Sequence, residues 1–159
     1  MKRKRIMIVG PARVGKTALA NAIEGEARPL KRTQDTIYRA RTLEVPSGYL
    51  ENTWMYQHLI ALGQDAWCLL VLIDQSRPVE RYAPGFVQSF RLPVVGVITH
   101  CDKSPENRPL VEAQLARTGV RPPFFAVDLE SGTGVEALLT HLHMLEGGKG
   151  ACDSSQKTT

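Results

Sequence analysis

The chain has 159 residues, of which 43% are hydrophobic and 23% are charged, and its formal net charge is +4. This size and composition indicate one globular domain and exclude a fibrous or largely disordered protein. Scattered basic residues with only 6% aromatics do not indicate a nucleic-acid partner, and no apolar run approaches the ~18 residues of a membrane span, so we expect a cytoplasmic protein.

Short apolar runs alternate with amphipathic segments along the chain. Arg5–Val9 is predicted as the first strand and Lys16–Glu24 as the first helix, which ends at Gly25. The basic segment 27–35 is predicted as a loop, and 36–43 as a short strand or a two-strand ribbon. The later predicted elements are a helix over 51–62, strands over 66–73 and 93–98, an interrupted segment over 81–90, a helix over 106–118, a strand over 124–127 and a helix over 134–145.

This order predicts an α/β domain over residues 1–146. Strands that are followed by helices favour a three-layer fold with a mostly parallel central sheet flanked by helices. Residues 147–159 are small and polar, and we expect them to form a flexible C-terminal tail.

The loop between the first strand and the first helix carries the strongest signal. It matches the phosphate-binding pattern G-x-x-x-x-G-K-[S/T]. The residues expected to contact a nucleotide here are Gly10, Pro11, Ala12, Arg13, Val14, Gly15, Lys16, Thr17 and Ala18. Backbone amides and the helix N-terminus would hold the phosphates, and the Thr17 hydroxyl is placed to bind Mg²⁺.

Two side chains of this loop are candidate catalytic residues. Lys16 would neutralise the terminal phosphates, and we expect its side chain to have no structural partner in the protein. Arg13 either stabilises charge that develops on the phosphates or faces solvent. The sequence leaves both alternatives open for Arg13.

Beyond this loop the chain is similar to Ras-like GTPases and resembles the EutP/PduV family of ethanolamine and propanediol utilisation over about residues 3–145. The resemblance rests on KRTQ at 31–34, PSGYLEN at 46–52, PGF at 84–86 and GVEAL at 134–138. It implies a P-loop NTPase fold that binds a purine nucleotide with Mg²⁺. It also implies an accessory role in bacterial microcompartments, with shell or pathway proteins as partners.

The resemblance assigns two further metal-sensing positions. Thr33 corresponds to the mobile-loop threonine that senses Mg²⁺ and the last phosphate, with Thr36 as the competing position and a simple turn cap as the alternative. Glu44 begins the segment that replaces the expected Asp-x-x-Gly, and it is long enough to reach a Mg²⁺-bound water. Asp74, after an apolar strand, is the alternative metal-polarising carboxylate or a cap.

Ser47 stands where this motif usually has glycine. Its Cβ would hinder the approach of the amide to the last phosphate. No glutamine follows to orient a water molecule. We therefore expect slow intrinsic hydrolysis.

Residues 99–102 are the counterpart of the base-reading motif Asn/Thr-Lys-x-Asp. Thr99 and Asp102 are kept, and Asp102 would accept from the guanine ring unless it caps a helix. His100 replaces the lysine, and an imidazole can stack on a purine. Val127-Asp128-Leu129 stands where Ser-Ala-x is usual, which weakens the guanine assignment.

The sequence is compatible with three functions. The first is a Mg²⁺-dependent GTPase-like switch, and the second is an ATP-using hydrolase or phosphotransferase. The third is a non-enzymatic interaction module with degenerate switch motifs.

Overall fold

The computed structural model describes residues 4–29, 35–79 and 82–157. The strands are β1 (Arg5–Val9), β2 (Ile37–Tyr38), β3 (Thr42–Glu44), β4 (Ala66–Asp74), β5 (Val94–Thr99) and β6 (Phe124–Ala126). The α-helices are α1 (Lys16–Glu24), α2 (Gly48–Glu51), α3 (Tyr56–Gly63), α4 (Arg108–Thr118) and α5 (Val135–Lys157), with 3₁₀ turns at Thr53–Met55, Phe86–Ser89 and Pro105–Asn107.

The strands form one sheet with the order β2-β3-β1-β4-β5-β6. All neighbouring strands are parallel except β2 and β3, which form the antiparallel ribbon that the sequence left as one of two alternatives. The carboxyl ends of β1, β4 and β5 therefore meet at one edge. In open sheets of this kind, ligands bind at that edge.

The core has two apolar layers, one on each face of the sheet. Met7 and Leu69 belong to the layer that includes α3 and α4 residues, whereas Ile8 and Leu70 belong to the layer that includes α1 and α5 residues. All nine residues of β4 are buried, as expected for a central strand that is covered on both faces. The predicted three-layer α/β arrangement is confirmed.

The predicted single helix over 51–62 is wrong. The chain forms α2, then a 3₁₀ turn, then α3, with Asn52 in an extended conformation between the first two. The Asn52 Nδ2 donates to the carbonyl of Gly48 at 2.9 Å. This side chain satisfies a helix-end carbonyl and ends α2 locally.

The last helix is longer than the predicted 134–145. Its backbone is helical to Lys157, although the glycines near residue 147 disfavour helix in the sequence. The flexibility of residues 147–159 stays a prediction. Among the described residues, no helix has the length and apolar content that a membrane span requires.

Candidate functional site

The loop between β1 and α1 requires glycine at both ends. A Cβ on Gly10 would lie 2.7 Å from Val14 Cγ1 and 3.1 Å from Leu72 Cβ, and Val14 and Leu72 are both buried. Gly15 has φ 111°, in the left-handed region that side chains rarely adopt. These positions bring the chain into α1, whose first amides have no intrahelical partner and remain able to donate to a ligand.

Lys16 has partners in the free protein, contrary to the expectation from the sequence. Its Nζ donates to the carbonyls of Gly10 at 2.8 Å and Pro11 at 3.1 Å. Burial lowers the pKa of Lys16 to about 8, while Glu44 and Glu51 oppose this shift by favouring the charged form. The ammonium is therefore held by weak acceptors that a phosphate group can replace.

A cavity of about 1180 Å³ opens at the carboxyl edge of the sheet around this loop. It is lined by Ala12, Arg13, Gly15, Lys16, Thr17, Ala18, Asn21, Ala22, Arg28, Asp35, Ile37, Glu44, Val45, Pro46, Ser47, Thr99, His100, Asp128, Leu129 and Glu130. Most of the predicted site residues therefore share one space. Gly10, Pro11, Val14 and Asp102 do not line it, and Thr33 lies outside the described residues.

Arg13 lies at the exposed side of the cavity. It has φ 65° and is solvent-exposed, yet it is among the lining residues. Both alternatives from the sequence therefore remain compatible with its position.

Thr17 and Glu44 pair at the end of the cavity that the loop between β1 and α1 forms. The Thr17 hydroxyl donates to Glu44 Oε1 at 2.6 Å, and Glu44 is buried at the end of β3. Hydroxyl and carboxylate oxygens suit Mg²⁺, which takes few protein ligands and shares the rest with phosphates and water. No group of three or more His, Cys, Asp or Glu within the described ranges could hold a metal alone. The donor set thus fits a metal that is bound together with phosphates.

Ser47 adopts an ordinary helical conformation beside the cavity. Its φ of −59° and ψ of −29° do not require glycine, so the replacement causes no backbone strain. Ser47 and Pro46 both line the cavity near Glu44. This segment can therefore fold without the glycine of the usual motif.

Thr99 and His100 lie at the other end of the cavity. Thr99 is buried and its hydroxyl donates to the carbonyl of Ile73 at 3.3 Å. His100 lines the cavity in a left-handed conformation with φ 54°. Asp102 is exposed and does not line the cavity, so its role in reading a base stays a prediction.

Asp128 is a lining carboxylate that the sequence did not single out as a site residue. The Ser131 hydroxyl donates to its Oδ2 at 2.7 Å, and this bond, with the amides of Glu130 and Ser131 and the charge of His100, holds the pKa of Asp128 below its usual value. Its place after β6, at the same edge as the loop, is the signal that could have identified it.

Asn21 was also missed by the sequence interpretation. It lies one helical turn after Thr17 on the cavity side of α1, and its Oδ1 accepts from Arg39 Nη1 at 2.8 Å. Asn21 lies four residues after Thr17, a spacing that predicts the same face of α1, but it falls outside the loop motif.

Comparison with known proteins identifies relatives along almost the whole chain. The family model described as "PduV-EutP: Ethanolamine utilisation - propanediol utilisation" matches residues 3–144. "Propanediol utilization protein PduV" of Citrobacter freundii is 35% identical over 144 residues, which span 90% of this chain and 95% of the relative. "Probable acetate kinase EutP" of Escherichia coli is 26% identical over 144 residues, spanning 89% and 91% respectively.

Solved structures show the same fold at low sequence identity. The FeoB G-domain from Methanococcus jannaschii has a TM-score of 0.62 and 18% identity, with 91% of this chain and 98% of that chain covered. Translation elongation factor SelB from Methanococcus maripaludis, in complex with the GTP analogue GPPNHP, has a TM-score of 0.62 and 14% identity, with 92% and 35% covered. These likenesses show the Ras-like fold of P-loop GTPases.

Proposed function

Because the chain belongs to the ethanolamine and propanediol utilisation family PduV-EutP, we propose that it is a Mg²⁺-dependent, GTPase-like protein that binds a purine nucleoside triphosphate. It serves ethanolamine or propanediol utilisation, in the cytoplasm and in association with microcompartments. The observation that carries this proposal is the placement of Lys16, Thr17 and Glu44 in one cavity at the carboxyl edge of a parallel sheet.

Lys16 would hold the terminal phosphates. Its ammonium exchanges the carbonyls of Gly10 and Pro11 for charged phosphate oxygens, which are stronger acceptors. The free amides at the start of α1 add donors and the positive end of the helix dipole. Arg13, at the exposed side of the cavity, adds a second cation near the phosphates.

Thr17 and Glu44 would hold Mg²⁺, with Thr33 as the predicted third position. When bound, the metal supplies positive charge that offsets the charge of the phosphates. The Thr17 hydroxyl already orients Glu44, so binding the metal costs little conformational entropy of this side chain.

Guanine is the base that we favour, with Thr99, His100 and Asp102 at the base end and His100 as the stacking ring. Intrinsic hydrolysis is slow in this proposal, because Ser47 replaces the usual glycine and no glutamine stands beside this motif to orient water. A switch protein must keep its triphosphate bound, so slow hydrolysis is compatible with this function.

The direct test is a titration with fluorescent GTP and ATP analogues, with and without Mg²⁺. Lys16→Ala is expected to weaken triphosphate binding at least about tenfold, because a charge-assisted contact is lost. Lys4→Ala is the matched control, because this exposed lysine does not line the cavity. Equal affinity of the wild-type protein and Lys16→Ala would refute the proposal.

A second candidate is an ATP-dependent phosphotransferase. One relative carries the name "Probable acetate kinase EutP". The cavity of about 1180 Å³ also exceeds the roughly 300–1,000 Å³ of most small-molecule sites, which leaves space for a small acid beside a nucleotide. Formation of acetyl phosphate and ADP from acetate and ATP, lost in Lys16→Ala, would favour this candidate.

A further inference from the structure

Asp74 and His100 form a contact that the proposed function does not use. Asp74 ends β4, pairs with Thr99 in the β4–β5 register, and is only 8% exposed. Its Oδ1 lies 2.9 Å from His100 Nδ1. The same oxygen accepts from the amide of Ser76 at 2.8 Å and from its hydroxyl at 2.6 Å. The contacts with Ser76 therefore orient the carboxylate independently of the His100 ring.

The partner of this carboxylate faces the cavity, whereas the carboxylate does not. His100 lines the cavity with Thr99, Asp128 and Leu129, and Asp74 is not among the lining residues. The left-handed backbone of His100 is unfavourable for a residue with a side chain. A contact that holds the ring in this position offsets part of that cost.

We propose that Asp74 is a positioning residue for purine recognition, which acts by holding the His100 ring against the base. A carboxylate has no proton to donate, so Nδ1 carries the proton of this contact whether the ring is neutral or charged, and Nε2 is the ring nitrogen that Asp74 does not contact. The ring face is then presented for stacking in a fixed orientation. This inference rests on the proposed function, because it requires a nucleotide in the cavity.

This role differs from that of a metal-polarising carboxylate. The oxygen pair suited to Mg²⁺ is Thr17 and Glu44, whereas Asp74 directs its Oδ1 to Ser76 and His100. Asp128 adds a second negative charge near the imidazole. Both carboxylates therefore lie near the His100 ring, at the proposed base end of the cavity, and not at the proposed Mg²⁺ site.

A double-mutant cycle with two probes tests the role of Asp74. The probes are a fluorescent GTP analogue and inorganic tripolyphosphate, which has no base. Asp74→Ala is expected to weaken GTP binding about tenfold and to leave tripolyphosphate binding within about twofold, because the effect acts only through the ring that contacts the base. In the His100→Ala background, Asp74→Ala should have no further effect. An equal loss for both probes, or a loss that persists without His100, would overturn the inference.

Two further measurements separate positioning from folding. Asp74→Asn keeps an oxygen acceptor for Ser76 and His100 and should restore most of the GTP affinity. The ¹⁵N spectrum of the wild-type imidazole should show a protonated Nδ1, and a ring with its single proton on Nε2 would refute the contact whether or not the alanine variant folds. If wild-type protein binds neither probe, the proposed function itself fails. If it binds both and Asp74→Ala changes nothing, only this inference fails.

Discussion

Nucleotide affinity should depend on pH through Lys16. Burial lowers the pKa of this ammonium to about 8 from its usual 10.5. Phosphate oxygens bind the charged form and raise the pKa again, so binding above pH 8 requires the uptake of a proton. The affinity should therefore fall as the pH rises through this range.

The magnitude follows from the fraction of protein that carries the proton. With a pKa of about 8, roughly nine-tenths of Lys16 is charged at pH 7 and roughly one-tenth at pH 9. If the charged form alone binds, the affinity for a triphosphate falls about tenfold over this range. A terminal phosphate with a pKa of about 6 is already ionised and contributes little to the change.

The assay is an equilibrium titration with a fluorescent GTP analogue at pH 7, 8 and 9 at constant ionic strength, because charge contacts also respond to salt. Lys16→Met is the control, and it should bind weakly with no decline across these pH values. A constant wild-type affinity from pH 7 to 9, or the same decline in Lys16→Met, would refute the role of the Lys16 charge.

Three substitutions test other parts of the site. Gly10→Ala should destabilise the fold by about 1–3 kcal/mol in urea unfolding because its Cβ overlaps buried side chains, whereas Gly48→Ala, in open space, should leave stability nearly unchanged. Glu44→Gln keeps an acceptor for the neighbouring hydroxyl but should lower the apparent affinity for Mg²⁺ about tenfold when nucleotide binding is titrated with Mg²⁺. An unchanged Mg²⁺ affinity would contradict this assignment. Gln75→Ala should cost about 2–4 kcal/mol and increase amide exchange in the loop after β5, because this fully buried side chain donates to two carbonyls there; unchanged exchange would argue against its role.

The first strand and helix were predicted with their observed bounds because the relevant signals are local. Arg5–Val9 is an apolar run, and Lys16–Glu24 has helical spacing that ends at a left-handed glycine. The break at Asn52 was not predicted. A side chain that bonds the carbonyl four residues earlier can continue a helix or end it, and the surrounding packing decides between these outcomes.

The contact between Asp74 and His100 could not be predicted from spacing. The two residues are 26 positions apart, and the parallel register that places Asp74 beside Thr99 brings them together. The base-reading motif at residues 99–102 likewise identified the candidate residues but could not predict which of their side chains reach the cavity. Asp102 is exposed, whereas Asp128 reaches the cavity through a turn with Ser131.

The two ends of the cavity are built from different parts of the chain. The phosphate end is built mainly from one continuous loop, where a Cβ at Gly10 would overlap the core and the contacts of Lys16 span six residues or fewer. The base end is assembled from residues at the ends of two strands, with Thr99 and His100 at the end of β5 and Asp128 after β6. Under the proposed function, we therefore expect a substitution such as His100 for lysine to change the contacts with the base and to leave the fold and the loop between β1 and α1 unchanged.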